Sequence, residues 1–330
     1  MKLRNKTVFH IGFPKSASTT LQKKLFDKHA QINFMGIYPT GNIGQDAGKN
    51  NIDTLYLKNG SLKKFHCCLT DLEGIEYYFS KVESYYSEVE LLMSTDKINI
   101  FSNERFTSVL FTHKDRAEKA RRIKCFFPDA KIIIVLRNQL DIIKSQYRDH
   151  PFDPRNLYAN RKSVSIDEWI NRDFLNYDIS FVKSIEYYKV VKFYSDFFGR
   201  ENVGVFIFEE MVWDLPSFSK KISSFLDVDE RETYALLDSQ HENEGVTKSS
   251  NIYRKMKSLL SGFIPNLLKK NRTIKRLEAD LLQYLKKGKK QNILVGKEAK
   301  QKVESYYSEQ NRKLANEFGL DLKKYGYVND

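Results

Sequence analysis

The chain has 330 residues, 41% of them hydrophobic, enough to bury a sizeable core in one large domain or in a domain with an appendage. Its 55 Lys+Arg against 42 Asp+Glu give a net charge of +13, and no run of eighteen apolar residues occurs, which excludes a membrane-spanning helix. Three cysteines, Cys67, Cys68 and Cys125, lack metal-ligand spacing and, with a first strand that leaves no room for a signal sequence, set the expectation of reduced thiols in a cytoplasmic protein.

The first predicted element is an apolar strand over 8–11 that breaks at Gly12. A loop with one lysine, Lys15, and four hydroxyl residues, Ser16, Ser18, Thr19 and Thr20, then leads into an amphipathic helix over 19–28. A strand that feeds a helix through small residues gathers free backbone N–H groups and the positive helix end at one point. Lysine and hydroxyl donors at that point describe an anion site, most often one for phosphate. It is not a Walker loop, which needs Gly before its Lys and Ser or Thr after it to hold magnesium; here Pro14 precedes Lys15 at the start of the loop.

Residues 36–60 are Gly- and Asn-rich and read as loops, and the adjacent Cys67 and Cys68 read as incidental loop packing. The stretch 72–89 reads as one helix, and 98–102 as a strand running into Asn103, Glu104 and Arg105. A helix over 114–126 precedes 131–136 (KIIIVL), an unbroken apolar run suited to a fully buried parallel strand. That run ends in Arg137, with Ser145 eight positions later in a helical pattern. A Walker-type nucleotidase would place an Asp here to organise magnesium, whereas Arg grips an anion directly.

The polar stretch 148–162 reads as a loop long enough to wall a substrate site. Helices over 166–174 and 181–198, a strand over 203–208, and short helices over 216–226 and 230–237 complete the alternation. Strands alternating with helices imply a parallel sheet, whose ligands bind at the strand carboxyl ends, so the loop and Arg137 can face one ligand.

Two motifs together resemble the sulfotransferases that use 3′-phosphoadenosine 5′-phosphosulfate. The 5′-phosphosulfate loop of that family reads Pro-Lys-Ser/Thr-Gly-Thr/Ser-Thr, and this chain has Pro14, Lys15, Ser16, Ala17, Ser18 and Thr19, with Ala17 in place of the Gly. The 3′-phosphate motif is an Arg at a strand end and a Ser eight positions on, matched by Arg137 and Ser145, with Gln139 where the family often has Pro. The resemblance implies an α/β, P-loop-like three-layer fold with a central, mostly parallel sheet flanked by helices. It implies sulfuryl transfer from this co-substrate with no metal required, Lys15 stabilising the leaving phosphate, and Ser16, Ser18, Thr19 and Thr20 holding the 5′-phosphate. Arg137 and Ser145 would hold the 3′-phosphate.

The acceptor needs a base, and carbohydrate sulfotransferases similar to this chain place a Glu or His where Glu104 stands. Its other reading is an ion-pair partner for Arg105 or Arg137, and sequence does not say whether burial or Lys15 dominates its pKa. His113, before a helix, and His10, which reads as a satisfied core imidazole, are weaker candidates. The polar loop 241–250 resembles the nucleotide lid of bacterial relatives, with Lys248 able to reach a phosphate, and 306–327 resembles their terminal helix and turn.

The expected organisation is a core over 1–250, a basic helical insertion over 251–295 and a terminal helix and turn over 296–330. From Lys248 to Asp330 there are 20 Lys+Arg and 8 Asp+Glu, a difference of +12. Such a stretch suits a solvated helical face, an acidic glycan, or peripheral contact of 254–290 with the inner face of a membrane. The expected acceptor is a carbohydrate or glycolipid hydroxyl, acidic ones included, with no nucleic-acid partner. A nucleotide or sugar kinase with a degenerate loop and a non-catalytic polyanion-binding protein stay open as alternatives at this point.

Overall fold

The computed structural model describes residues 6–36, 59–108, 115–152, 154, 163–176, 180–239 and 293–328. Five strands form one sheet: β1 (Thr7–His10), β2 (Ile32–Phe34), β3 (Ile98–Ser102), β4 (Lys131–Leu136) and β5 (Val203–Ile207). Their order is β2-β3-β1-β4-β5, and every neighbouring pair is parallel.

Alternation along the strands explains why both faces are covered. Phe9, Phe101, Ile132 and Ile134 belong to one apolar cluster, with the helices Gly60–Thr70, Tyr187–Phe198 and Lys297–Phe318 supplying its other side. Val8, Ile100, Ile133 and Val135 point the opposite way, onto Leu21, Leu25 and Phe26 and onto Phe218 and Ile222 of the helix Leu215–Leu226. A sheet buried on both faces yields the unbroken apolar runs seen in the sequence, and the product is a three-layer α/β fold.

Several element boundaries differ from expectation. The 36–60 stretch is flanked by elements composition did not show: β2, only three residues long, and the helix Gly60–Thr70, which carries Cys67 and Cys68 in place of the expected loop. The helix expected over 72–89 is two, Gly74–Tyr78 and Val82–Glu90. That over 181–198 is also two, Phe181–Ser184 and Tyr187–Phe198. The strand expected to include Phe208 stops at Ile207, where a helix Phe208–Trp213 begins. Arg148 and Asp149 close the helix Gln139–Asp149 and do not open the following loop. No helix among the described residues is long and apolar enough to cross a membrane.

The strand order matters for the site. From β1 the chain builds β2 and β3 on one side, then β4 and β5 on the other. The carboxyl end of β1 is therefore the switch point of the sheet, the crevice where open parallel sheets bind ligands.

Candidate active site

Four segments meet at that crevice: the loop after β1, the turn after β3, Arg137 after β4 and the start of the helix after β5. In the loop, Lys15 and Ala17 both take left-handed backbone angles, φ 68° and 64°. Ala17 precedes the helix Ser18–Thr20, which continues as a π-helical stretch Leu21–Phe26. The first helical bond there runs from Leu21 N to Ala17 O (3.0 Å), so the N–H groups of Ser18, Thr19 and Thr20 lie ahead of the helical ladder. Ser16 and Ser18 are buried, and neither hydroxyl has a hydrogen-bond partner. Buried, unpaired hydroxyls beside helix-start amides are a donor set whose chemistry fits an anion.

Lys15 is held at both ends. Arg137 Nη1 donates to its main-chain carbonyl (2.7 Å), and its ammonium pairs with Asp149 at the end of the helix Gln139–Asp149. The first of these bonds brings the two predicted motifs together. The Arg137 guanidinium also lies over the Phe208 ring (4.7 Å), and its Nε is buried without a partner. Ser145 is half-buried one helical turn before Asp149, on the same side of the helix. Pro14 is buried, while Thr19 and Thr20 are half-buried at the helix start.

Glu104 opens a short 3-10 turn, Glu104–Phe106, that is fastened from several sides. Asn103 Oδ1 accepts from Arg105 N (3.0 Å), and Thr107 Oγ1 donates to Gly12 O (2.8 Å), tying the turn to the loop after β1. Beneath it, the buried Lys119 ammonium donates to the carbonyls of Arg105 (2.6 Å) and Ser108 (2.9 Å). Arg116 Nε donates to Thr107 O (2.6 Å), and burial lowers its pKa to about 10. Arg105, one candidate partner for Glu104, pairs instead with Asp71, and Arg137 is engaged as described. Burial pushes the Glu104 carboxyl up, against the opposing pull of the Lys15 ammonium and the neighbouring Ser18 hydroxyl. Burial thus dominates, the point sequence left open.

His10 is buried within β1, Nδ1 2.7 Å from Ser102 Oγ, and burial lowers its pKa to about 3. It is not the fully satisfied core imidazole expected, because its Nε2 has no partner. His113, Lys248, the lid 241–250 and the basic stretch 254–290 lie outside the described residues.

A third layer of support comes from the chain's last elements. Gln139, at the position where the family often has Pro, donates to Asn311 Oδ1 (2.8 Å), and Asn311 Nδ2 reaches Tyr327 O (2.8 Å). Asn138 Nδ2 donates to Gly326 O (2.7 Å), while Tyr327 OH (2.6 Å) and Asn138 N (2.9 Å) both donate to Glu209. The residues following Arg137 are thereby locked to the terminal helix and turn.

A family model described as a sulfotransferase domain matches residues 5–262. The chain belongs to the sulfotransferase family. A sulfotransferase from Alicyclobacillus acidocaldarius is similar at 17% identity over 98% of each chain, with a TM-score of 0.52, which supports the shared fold. A sulfotransferase domain from the Synechococcus PCC 7002 olefin synthase aligns over 92% of this chain and 95% of its own at 15% identity and a TM-score of 0.42. A mouse sulfotransferase complexed with PAP aligns over 92% of this chain and 89% of its own at 14% identity and a TM-score of 0.40. No curated protein matches the chain. The sulfotransferase is thus an enzyme of the family that uses 3′-phosphoadenosine 5′-phosphosulfate.

Proposed function

We propose that this sulfotransferase moves a sulfuryl group to a hydroxyl of a carbohydrate or glycolipid. The observation that carries the site assignment is the convergence, at one switch point, of three buried unpaired polar atoms (Ser16 Oγ, Ser18 Oγ and Arg137 Nε) with a lysine and a carboxyl. Ser16, Ser18, Thr19, Thr20 and the helix-start amides hold the 5′-phosphate, while Arg137 and Ser145 hold the 3′-phosphate. The family resemblance gives Lys248 as a further positive charge for the nucleotide.

The reaction resembles phosphoryl transfer, with in-line attack and catalysis by positioning and electrostatics. The acceptor hydroxyl gives its proton to Glu104 as its oxygen bonds to sulfur. The bond from sulfur to the bridging oxygen breaks, its electron pair staying on the phosphate, and the Lys15 ammonium meets that charge. A carboxyl raised by burial suits this role, because a base works best with a pKa brought toward the working pH. The +12 of residues 248–330 favours an acidic acceptor, or one at an anionic membrane, drawn in by steering.

The test is thermal unfolding with nucleotides. With 3′-phosphoadenosine 5′-phosphate at 100 times its dissociation constant, stability should rise by about 2.7 kcal/mol. AMP at the same concentration should give far less, since only the former engages both anion sites. Equal shifts would remove the role given to Arg137 and Ser145, and a shift with ATP and magnesium alone would favour a kinase.

A further inference from the structure

Behind the phosphate loop, on the face covered by the helix start, runs a polar string that the transfer chemistry above leaves unused. Gln22 Nε2 donates to Ser102 Oγ (2.8 Å) and faces the Ser102 carbonyl (3.5 Å), an oxygen that only a donor can face. The amide nitrogen is therefore the end turned toward Ser102. A serine hydroxyl has one proton, and among the described residues Ser102 Oγ meets only the donating Gln22 amide and His10 Nδ1 (2.7 Å), so the one acceptor open to that proton is His10 Nδ1. The imidazole is neutral, so an accepting Nδ1 puts its own proton on Nε2.

That Nε2–H is buried without a partner, and so is the Ser18 hydroxyl. Both border one point in space: a methyl group placed on Gly12 would lie 2.7 Å from His10 Nε2 and 2.9 Å from Ser18 Oγ. Gly12 has no left-handed angle to justify it. What it provides is the absence of a side chain between these two groups.

We infer that His10 is a positioning residue of the phosphate loop: its Nε2–H and Ser18 Oγ, each without a partner and opening onto the same point, pair when a 5′-phosphate oxygen draws the Ser18 proton outward. Gln22, Ser102, His10 and Ser18 then donate in one direction, ending on the anion, and hydrogen bonds aligned head to tail strengthen one another. The Glu104 carboxyl neighbours the same Ser18 hydroxyl. This inference rests on reading the loop as the 5′-phosphate site.

Nitrogen-15 NMR of the imidazole in the full chain reads the tautomer directly. The expected spectrum shows an unprotonated Nδ1 and a protonated Nε2, with the Nε2–H proton shifting when 3′-phosphoadenosine 5′-phosphate is added but not with adenosine 3′-phosphate. A proton on Nδ1 overturns the inference. Ser102→Ala, a small change that spares His10 itself, should release the tautomer lock. It should weaken 3′-phosphoadenosine 5′-phosphate about three- to tenfold, the worth of one hydrogen bond. Adenosine 3′-phosphate should bind the variant unchanged, and Ser102→Thr should restore the parent affinity. Equal affinities for parent and Ser102→Ala overturn the inference while leaving the transfer reading in place. A parent protein that binds neither nucleotide and transfers nothing overturns the transfer reading itself.

Discussion

At the scale of single residues, the site combines backbone strain with a displaced carboxyl pKa. A non-glycine residue in the left-handed region costs on the order of 1–2 kcal/mol. Ala17, at φ 64°, occupies the conformation that the family's Gly adopts freely, and its methyl group carries that cost without an evident gain. Ala17→Gly should therefore raise stability by about 0.5–1 kcal/mol, read as a higher urea midpoint at unchanged slope. A lower midpoint would mean that the loop does not hold this angle in solution. Glu104 offers a pH signature. Its carboxyl is raised by burial, so turnover should fall on acidification at a pH above the ordinary carboxylate range. Glu104→Gln should remove that limb and lower turnover by roughly 10²–10⁴, with donor affinity held within a few-fold. The stability sign is opposite to that of a salt-bridged acid. With the folded pKa above the unfolded one, Glu104 loses stability as pH rises through that window, and the Gln variant should be spared the loss.

At the scale of elements, the terminal helix Lys297–Phe318 and its following turn act as a brace for the residues that follow Arg137. Tyr327 donates to Glu209, whose other oxygen accepts from Asn138 N, one residue beyond Arg137. Tyr327→Phe should cost about 1–3 kcal/mol by leaving a buried carboxyl oxygen unpaired, measured by urea unfolding. It should also weaken 3′-phosphoadenosine 5′-phosphate more than AMP; equal loss for both would place the brace away from Arg137. This layer also shows where sequence reading stops. The strand 131–136 was legible because burial on both faces demands an unbroken apolar run, and the loop and Arg137 were legible as short motifs. The breaks near Phe79 and Ile185 were not, since the apolar pattern continues through them without Pro or Gly. Asp149, Lys119 and Arg116 left no signal either. Asp149 meets Lys15 across 134 positions, and the two cations bind main-chain carbonyls, which any residue can supply. Gln139 reads as a departure from a motif until its amide is seen paired with Asn311.

At the scale of the whole molecule, charge is unevenly placed along the chain, and under the proposed function the +12 of residues 248–330 would act on acceptor encounter more than on chemistry. Steering between exposed charges fades as the Debye length shrinks from about 10 Å at 0.1 M salt to about 3 Å at 1 M. The acceptor Michaelis constant should therefore rise steeply with salt. Reversing the charge at Lys286, Lys287, Lys289 and Lys290 should flatten that dependence and spare donor affinity. Superimposed salt curves for parent and variant would leave the basic quarter without a part in acceptor capture.

The strand order carries a different consequence. Lys15, Glu104 and Arg137 stand on β1 and its two immediate neighbours, yet β3 and β4 are contributed by distant stretches of chain. Nothing short of the assembled sheet holds those three groups within reach of one ligand, so a fragment ending before β4 would keep the loop and lose the grip on its carbonyl. Binding at this site and the assembled sheet should therefore behave as one cooperative unit: denaturant should abolish nucleotide binding and unfold the strands at the same midpoint. The two halves of the chain, cut between β3 and β4, should regain binding only when they are refolded together.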